Sequence, residues 1–317
     1  MRKVLGLAVA MAATLLAQDA GAQGFKLGVI AFQMSSETHA RVANAVEAAG
    51  KARGWDVTLL NSRGSMPEHA AQLDNLVQSG VGGIVLAMGK TVELDAQLAA
   101  AKAKGISVVT VMSGTSPHTL LDVAVDDFAA GAKMATYLLN RMNYRGSVLL
   151  QRYEGNVSTR ARGKVLDAVL SENKAVTVLD AHVMARPQGW REDVKAGMEA
   201  LTLKHQGKFQ GIWASFDGQA FIIDDILREK GVKKGDVALV SIDGGQETFK
   251  RIRDPNSLMT ASVAIPFEVM GSRAVEAMEA IAVKKTAKEK IVAGPVLMVD
   301  TVLVDGSNVP ADGKWPW

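Results

Sequence analysis

Apolar runs of strand length alternate with segments of helical spacing along most of this chain. The run Phe25–Phe32 predicts a first strand, and in Glu37–Arg53 apolar residues recur every three or four positions, which predicts a helix. The first block continues with predicted strands over 55–60, 82–88 and 106–112 and predicted helices over 67–78 and 92–104. Because these strands are continuous apolar runs, they indicate a parallel sheet with helices on both faces.

A second block of the same kind follows. It consists of predicted helices over 128–142, 159–173, 190–203 and 219–230 and predicted strands over 146–151, 176–183, 211–215 and 237–242. Two comparable blocks predict two similar lobes, with a boundary near Asp126.

The end of the chain does not form a third block. It holds a predicted strand over 259–264, a predicted helix over 267–284 and a predicted last strand over 296–304. These elements fit best if the chain crosses between the lobes more than once. Since ligands of such sheets bind beyond the carboxyl ends of the strands, we expect a small-molecule site in a cleft between the lobes.

The first residues predict export. Arg2 and Lys3 precede the uncharged apolar run Val4–Leu16, and Ala20-Gly21-Ala22 offers a cleavage site before Gln23. This is the three-part layout of a secretory signal peptide over residues 1–22. Because the run is shorter than the roughly 20 residues of a membrane span, we expect a soluble mature protein in the periplasm.

Composition removes several classes of function. The chain has 317 residues, no Cys and a formal net charge of +3, so disulfides, thiol catalysis and thiolate metal sites are excluded, and a basic nucleic-acid surface is not expected. The five His residues stand at 39, 69, 118, 182 and 205, with no metal-binding spacing among them. The sequence predicts neither a metal nor a cofactor.

Seven short motifs suggest a family when taken together. They are Gly54-Trp55-Asp56-Val57, Gly82-Gly83-Ile84-Val85-Leu86, Gly105-Ile106, Val125-Asp126-Asp127, Arg160-Ala161-Arg162-Gly163, Trp190-Arg191-Glu192 and Ile242-Asp243-Gly244. In this order they resemble the periplasmic sugar-binding proteins of ABC transporters, of the ribose-binding type (type I periplasmic binding proteins). The resemblance implies an α/β fold of two Rossmann-like lobes with parallel sheets, joined by a three-strand hinge. The N-terminal lobe would comprise 23–126 plus 265–293, and the C-terminal lobe 127–264 plus 294–317.

In the N-terminal lobe the resemblance implies two groups of ligand-binding residues. The loop after the first strand offers Ser36, Thr38 and His39, and the family often has aromatic residues at the positions of Thr38 and His39. Met112 and Ser113 stand where the family usually has an Asp-Arg pair that binds two hydroxyls. This departure leaves the identity of the ligand open.

In the C-terminal lobe the resemblance implies five ligand-binding residues, namely Arg160, Trp190, Phe216, Asp217 and Asp243. Arg160 matches the family's ligand-binding arginine, Trp190 its aromatic platform and Asp243 its ligand-binding aspartate. Other interpretations stay open: Asp243 could cap a turn, Arg160 could lie on the surface, and Trp190 could belong to the core. We expect Arg162 to be structural, and Asp126 and Asp127 to be hinge or turn residues.

The function implied is capture of a sugar, polyol or modified sugar by a monomeric protein and its delivery to an ABC transporter permease. The chain contains no G-x-S-x-G, no H-E-x-x-H and no convincing acid pair, so we do not expect an enzyme. Alternatives are an exported sugar-acting hydrolase, and a sensor that presents its liganded form to a chemoreceptor or kinase. With Met112-Ser113, and with Ala264 where a Gln is common, the ligand is expected to be less polar than ribose or to bear a group for Arg160 and His39.

Overall fold

The computed structural model describes residues 24–185 and 188–312. The predicted signal peptide, residues 1–22, lies outside the described residues. The strands are β1 (Lys26–Ala31), β2 (Asp56–Asn61), β3 (Gly83–Ala87), β4 (Ser107–Val111), β5 (Leu121–Ala124), β6 (Gly146–Arg152), β7 (Val176–Val183), β8 (Gly211–Ala214), β9 (Ala238–Asp243), β10 (Met259–Ala264), β11 (Val296–Met298) and β12 (Val302–Asp305). The α-helices are α1 (Glu37–Lys51), α2 (Met66–Ser79), α3 (Asp95–Ala103), α4 (Asp127–Arg141), α5 (Val157–Glu172), α6 (Trp190–Lys204), α7 (Asp217–Glu229), α8 (Gln246–Arg253) and α9 (Phe267–Met278). Across 24–185 and 188–312, none of the helices is both long and apolar enough to cross a membrane.

The chain divides into two compact units. Unit 1 contains the described residues up to Ala124 together with Phe267–Met298, and unit 2 contains Val125–Pro266 together with the described residues from Val299 onward. The chain therefore passes from one unit to the other after 124, 266 and 298, where the sequence prediction placed the changes at 126, 264 and 293. The α/β fold of two lobes with mostly parallel sheets is confirmed.

Unit 1 is built on a parallel sheet of six strands in the order β11-β5-β4-β3-β1-β2. The interior strands are almost fully buried, because helices cover both faces of a parallel sheet. From β1 the chain first goes outward to β2 and then returns to β3 on the other side. This reversal of direction places the topological switch point of the sheet between β1 and β3.

Unit 2 repeats this arrangement with one change. Its six strands have the order β12-β10-β9-β8-β6-β7, and β12 runs antiparallel to β10. The chain goes from β6 outward to β7 and returns to β8, so the switch point lies between β6 and β8. The core of this unit packs Ile212 and Leu239 of the central strands against Ile223 and Ile226 of α7.

Three sequence predictions about elements were wrong or incomplete. The run 296–304 is not one strand: β11 pairs with β5 in unit 1, and β12 pairs with β10 in unit 2. Apolarity alone cannot show that a run changes sheets, because both halves are equally suited to strands. The predicted helix over 267–284 is α-helical only to Met278 and then continues as a π-helical turn, Glu279–Val283. Strand β5 and helix α8 were not predicted, because both are too short to show a clear period.

Candidate functional site

The carboxyl ends of the parallel strands of unit 2 meet at one edge of the sheet. Helices α5, α7 and α8 begin at this edge, shortly after β6, β8 and β9. Arg160 lies in the first turn of α5, Phe216 and Asp217 join β8 to α7, and Asp243 is the last residue of β9. Four of the five residues predicted for this lobe therefore share one edge, where α/β sheets bind their ligands.

Trp190, the fifth residue, opens α6 and lies against Phe216. The two ring centroids are 5.3 Å apart and the ring planes meet edge to face, a favourable aromatic geometry. Both rings are half-buried and pack against the core of unit 2. A Cβ atom at position 218 would lie only 2.9 Å from the Trp190 ring, so Gly218 leaves room for it. The two aromatic residues predicted from the sequence thus form one contact pair.

Arg162 is buried among acceptors contributed by three separate segments. Its Nε donates a hydrogen bond of 2.8 Å to Oδ1 of Asp127, and its Nη1 lies 3.5 Å from Oδ1 of Asp243 and 3.4 Å from the carbonyl oxygen of Ser215. Burial acts to lower the pKa of Arg162, but the charges of Asp127 and Asp243 outweigh it and the pKa lies above its ordinary value. Arg162 is buried inside unit 2 and paired with two carboxylates, which agrees with the structural role expected from the sequence.

The turn after Asp243 requires glycine. Asp243 has φ +154° and Gly244 has φ +70°, a region that glycine adopts without strain. A Cβ atom on Gly244 would lie 2.6 Å from Cα of Ala264, so the turn also lies directly against the end of β10.

The Asp217 carboxylate accepts hydrogen bonds from four donors. Oδ1 accepts hydrogen bonds from the hydroxyls of Ser241 and Ser262, at 2.5 and 2.8 Å, and Oδ2 accepts from the Thr248 hydroxyl and the Gly244 N–H, at 2.5 and 2.8 Å. These four donors match the roughly four lone-pair positions of a carboxylate. The side chain is buried and ties β9, α8 and β10 together. A direct ligand contact by Asp217 stays a prediction, and its geometry favours a positioning role.

Arg160 lies at the same edge and is half-buried. Its Nη1 donates a 2.7 Å hydrogen bond to the carbonyl oxygen of Glu154. Beside it is Tyr153, which the sequence analysis missed: burial raises the pKa of Tyr153, while the charge of Arg160 acts to lower it. Tyr153 directly follows β6 at the switch point, and this position after a predicted strand was the signal that could have identified it.

At the corresponding edge of unit 1, the predicted residues after β1 form a small polar group. Ser36 is the N-cap residue of α1, and its hydroxyl lies 3.2 Å from that of Thr38 rather than capping the helix. His39 follows, and its ring is 6.1 Å from the Phe32 ring. Burial, and secondarily the charge of His69, lower the pKa of His39 to about 4. His39 is therefore neutral at pH 7.

His69 is a buried residue of the same cluster that the sequence analysis did not single out. Its Nδ1 is 2.7 Å from the Ser62 hydroxyl, which donates its own proton to Oε1 of Gln72. Nδ1 must then carry the hydrogen, and Nε2 is a bare acceptor with no hydrogen-bond partner among the described residues. Burial lowers the pKa of His69 to about 4, and the Phe32 ring meets His69 edge to face at 5.7 Å.

Met112 and Ser113 follow β4 and differ in their surroundings. Met112 is half-buried with φ +48°. The Ser113 hydroxyl accepts a 2.9 Å hydrogen bond from the N–H of Gly89 and lies 3.0 Å from the carbonyl oxygen of Val111, to which it can donate. Ser113 thus holds the loop after β3 against the end of β4. Ligand contact by Ser36, Thr38, His39, Met112 or Ser113 stays a prediction.

Comparison with known proteins identifies the family. Residues 27–286 match the family described as "Periplasmic binding protein domain". The chain belongs to this family. A xylitol-binding protein of Mycolicibacterium smegmatis is 25% identical over 239 residues, which cover 74% of this chain and 66% of that protein, so the chain matches just under two thirds of its length.

Solved structures share the fold of this chain. An ABC transporter solute-binding protein of Agrobacterium vitis with bound allitol has a TM-score of 0.79 and 22% identity, and the match covers 91% of this chain and 97% of that one. A 5-methylthioribose transporter solute-binding protein of Thermotoga lettingae in complex with 5-methylthioribose has a TM-score of 0.81 and 17% identity, covering 91% and 90% of the two chains. At these identities the likeness shows the two-lobed fold.

Proposed function

We propose that this member of the periplasmic binding protein family captures a sugar, polyol or modified sugar and delivers it to the permease of an ABC transporter. The observation that carries the proposal is the convergence of Arg160, Trp190, Phe216 and Asp243 at one carboxyl edge of unit 2. A guanidinium and a carboxylate bind hydroxyls through charge-assisted hydrogen bonds. An aromatic ring beside them offers a face for the C–H groups of a carbohydrate.

The relatives support this class of ligand. The curated relatives are a xylitol-binding protein and a ribose import binding protein, and solved structures with the same fold hold allitol or glycerol. All of these compounds are uncharged and rich in hydroxyls. For this chain we propose the same broad class, with Ser36, Thr38, His39, Met112 and Ser113 of unit 1 adding contacts to the ligand.

Export and delivery complete the proposal. Residues 1–22 would direct the chain to the periplasm and be removed before Gln23, and the mature protein would act there as a monomer. N-terminal sequencing of protein recovered from the periplasmic fraction tests export and cleavage before Gln23. Sedimentation tests the monomeric state. A mature chain that still begins with residue 1 would contradict the signal-peptide assignment.

Calorimetric titration with a panel of pentoses, hexoses, their alcohols and their acids tests the function. We expect at least one compound to bind and to raise the melting temperature, because a ligand that binds only the folded state stabilises it. Recovery of the bound compound unchanged after prolonged incubation is expected of a carrier, and turnover would instead support a hydrolase. If no carbohydrate bound while another class of solute did, the proposal would be wrong.

Two variants test the site. Asp243→Ala and Arg160→Ala should each weaken binding at least tenfold, since hydrogen bonds to charged groups contribute about 1.5–3 kcal/mol. Arg273→Ala is the matched control, because Arg273 is exposed on α9 and paired with Glu276. If both site variants bound the ligand with unchanged affinity, Asp243 and Arg160 would not be ligand-binding residues. Membership of the family would not be affected.

A further inference from the structure

Asp122 is a buried residue of unit 1 whose carboxylate binds the end of β4. It lies on β5, in register with Thr110 of β4, and only 4% of the residue is exposed. Oδ1 accepts a 2.7 Å hydrogen bond from the Thr110 hydroxyl and a 3.2 Å bond from the N–H of Ser113. Oδ2 accepts a 3.3 Å bond from the N–H of Gly114. Asp122 therefore binds both sides of the bend at Met112.

The three donors to this carboxylate are one hydroxyl and two backbone N–H groups, and each is uncharged. Burial raises the pKa of Asp122, while the hydrogen bonds from these donors act to lower it. Burying a carboxylate is unfavourable unless it is hydrogen-bonded, and here residues 110–114 supply the bonds. The same bonds fix where residues 110–114 lie.

The bend bound by Asp122 contains a strained residue. Met112 has φ +48°, a conformation that Gly, Asn and Asp adopt with less strain than a long side chain. Strain of this kind persists only where the surrounding structure determines the conformation. Asp122 supplies such a constraint, because it accepts hydrogen bonds from residues on both sides of Met112.

Ser113 connects the same bend to the loop after β3. Its hydroxyl accepts a 2.9 Å hydrogen bond from the N–H of Gly89, and its carbonyl oxygen accepts a 3.2 Å bond from the N–H of Thr91. Residues 112–114, here named the β4 loop, are thus bonded both to β5 and to the loop after β3. The β4 loop lies at the carboxyl edge of the sheet, where α/β sheets bind ligands, and it contains the predicted ligand residues Met112 and Ser113.

We propose, on the basis of the function proposed above, that Asp122 is a positioning residue for ligand binding by unit 1. Its buried carboxylate holds the β4 loop in the conformation that binds the ligand and does not touch the ligand itself. A loop that is ordered before binding raises affinity, because the cost of ordering it is not charged to the binding step.

Asp122→Asn tests the proposal in the full chain. Asn keeps the size of the side chain, but its amide nitrogen cannot accept a hydrogen bond, so at least one donor of the β4 loop loses its acceptor. The probes are D-ribose, xylitol and the other pentoses, hexoses and alcohols of the titration panel. We expect the affinity for a compound that binds the unmodified chain to fall about tenfold. Amide hydrogen exchange followed by NMR should accelerate at Ser113 and Gly114.

Val77→Ala is the control for a loss of stability alone. Val77 is buried in the core of unit 1, near the C-terminal end of α2 and so towards the opposite edge of the sheet. Its truncation should lower the melting temperature and leave both the affinity and the exchange at Ser113 and Gly114 unchanged. If Asp122→Asn does not fold, Thr110→Val takes its place, because it removes one donor to Asp122 and should lower the affinity in the same way.

Met112→Asn provides a second, independent test. Asn adopts a positive φ with less strain than Met, so the β4 loop then depends less on Asp122. The loss of affinity caused by Asp122→Asn should therefore shrink from about tenfold in the unmodified chain to about threefold or less in the Met112→Asn chain. A double-mutant cycle measures this difference, because residues coupled through the backbone do not have additive effects.

The possible outcomes separate this inference from the proposed function. Unchanged affinity in Asp122→Asn, in a chain that still binds a compound of the panel, overturns the positioning role and leaves the proposed function standing. Equal losses with and without Met112→Asn, or an equal loss in Val77→Ala, also overturn it. Absence of binding by every carbohydrate to the unmodified chain overturns the proposed function, and this inference with it.

Discussion

The Nε atom of Arg162 donates a 2.8 Å hydrogen bond to Oδ1 of Asp127, and this pair joins α5 to the start of α4 inside unit 2. The Arg162 side chain is only 3% exposed, so neither water nor salt can replace the bond easily. The same guanidinium lies beside Asp243, which connects the packing of two helices to a predicted ligand-binding carboxylate.

Replacing Arg162 by Met should lower the free energy of unfolding by about 3–5 kcal/mol, because it removes the guanidinium that pairs with the carboxylates of Asp127 and Asp243 inside unit 2. Urea denaturation at pH 7 measures the loss. Arg160→Met is the matched control two residues away: Arg160 is half-buried and bonds to one carbonyl oxygen, so we expect a loss of about 1 kcal/mol. Equal losses would contradict the buried role of Arg162.

Asp217→Asn should destabilise unit 2 and also weaken ligand binding. The amide nitrogen of Asn cannot accept the bonds that one carboxylate oxygen receives from two donors, and an unsatisfied buried donor costs about 1–3 kcal/mol. The effect on binding follows because one donor, the N–H of Gly244, is adjacent to Asp243. Denaturation and titration measure the two effects.

Asp225→Asn is the control for that variant. Asp225 is exposed and pairs with Arg251 at the surface, and surface ion pairs contribute about 0–1 kcal/mol. Full ligand affinity in Asp217→Asn, together with a large loss of stability, would limit Asp217 to a purely structural role.

We predict that the free energy of unfolding falls in mild acid because His69 is buried in its neutral form. Its pKa is about 4 in the folded chain, against an ordinary value of 6.5. Below pH 6.5 the unfolded chain takes up a proton that the folded chain does not, so stability falls as the pH drops from about 6.5 towards 4. The contribution of this fully buried group approaches roughly 3 kcal/mol.

Denaturation between pH 7 and pH 4.5 checks this expectation. The variant His69→Gln should show a shallower dependence of stability on pH, because it removes the group that titrates. Ser62→Ala is the control, since it removes the hydroxyl partner and keeps the imidazole, and it should retain the steep dependence. If the unmodified chain and both variants lost stability equally with falling pH, His69 would not be the group responsible.

Gly131→Ala should lower the melting temperature through the contact between α4 and α5. An added Cβ would lie 2.9 Å from Cα and 3.0 Å from the carbonyl oxygen of Arg162, and backbone atoms cannot move aside cheaply. Overpacking of this kind costs about 1–3 kcal/mol. Gly294→Ala adds the same atom where nothing lies within 4 Å and should leave the melting temperature nearly unchanged.

The sequence by itself determined most of the local structure and the family. Apolar runs such as Gly82–Met88 and helical spacing such as that of Glu37–Arg53 reflect burial of each element against its neighbours, so the order of strands and helices was predictable. Motifs such as Ile242-Asp243-Gly244 identified the family and pointed to an edge of unit 2 where Arg160, Phe216 and Asp243 do lie together.

Tertiary structure alone decided how those residues are used. Asp217 and Asp243 look equivalent in the sequence, yet four donors from distant segments satisfy Asp217, while Asp243 lies beside Arg162. The division of 296–304 between two sheets is likewise invisible in the sequence. Hydrophobic periodicity reports whether a position is buried, but partners come from residues far away along the chain, and only folding brings them within bonding distance.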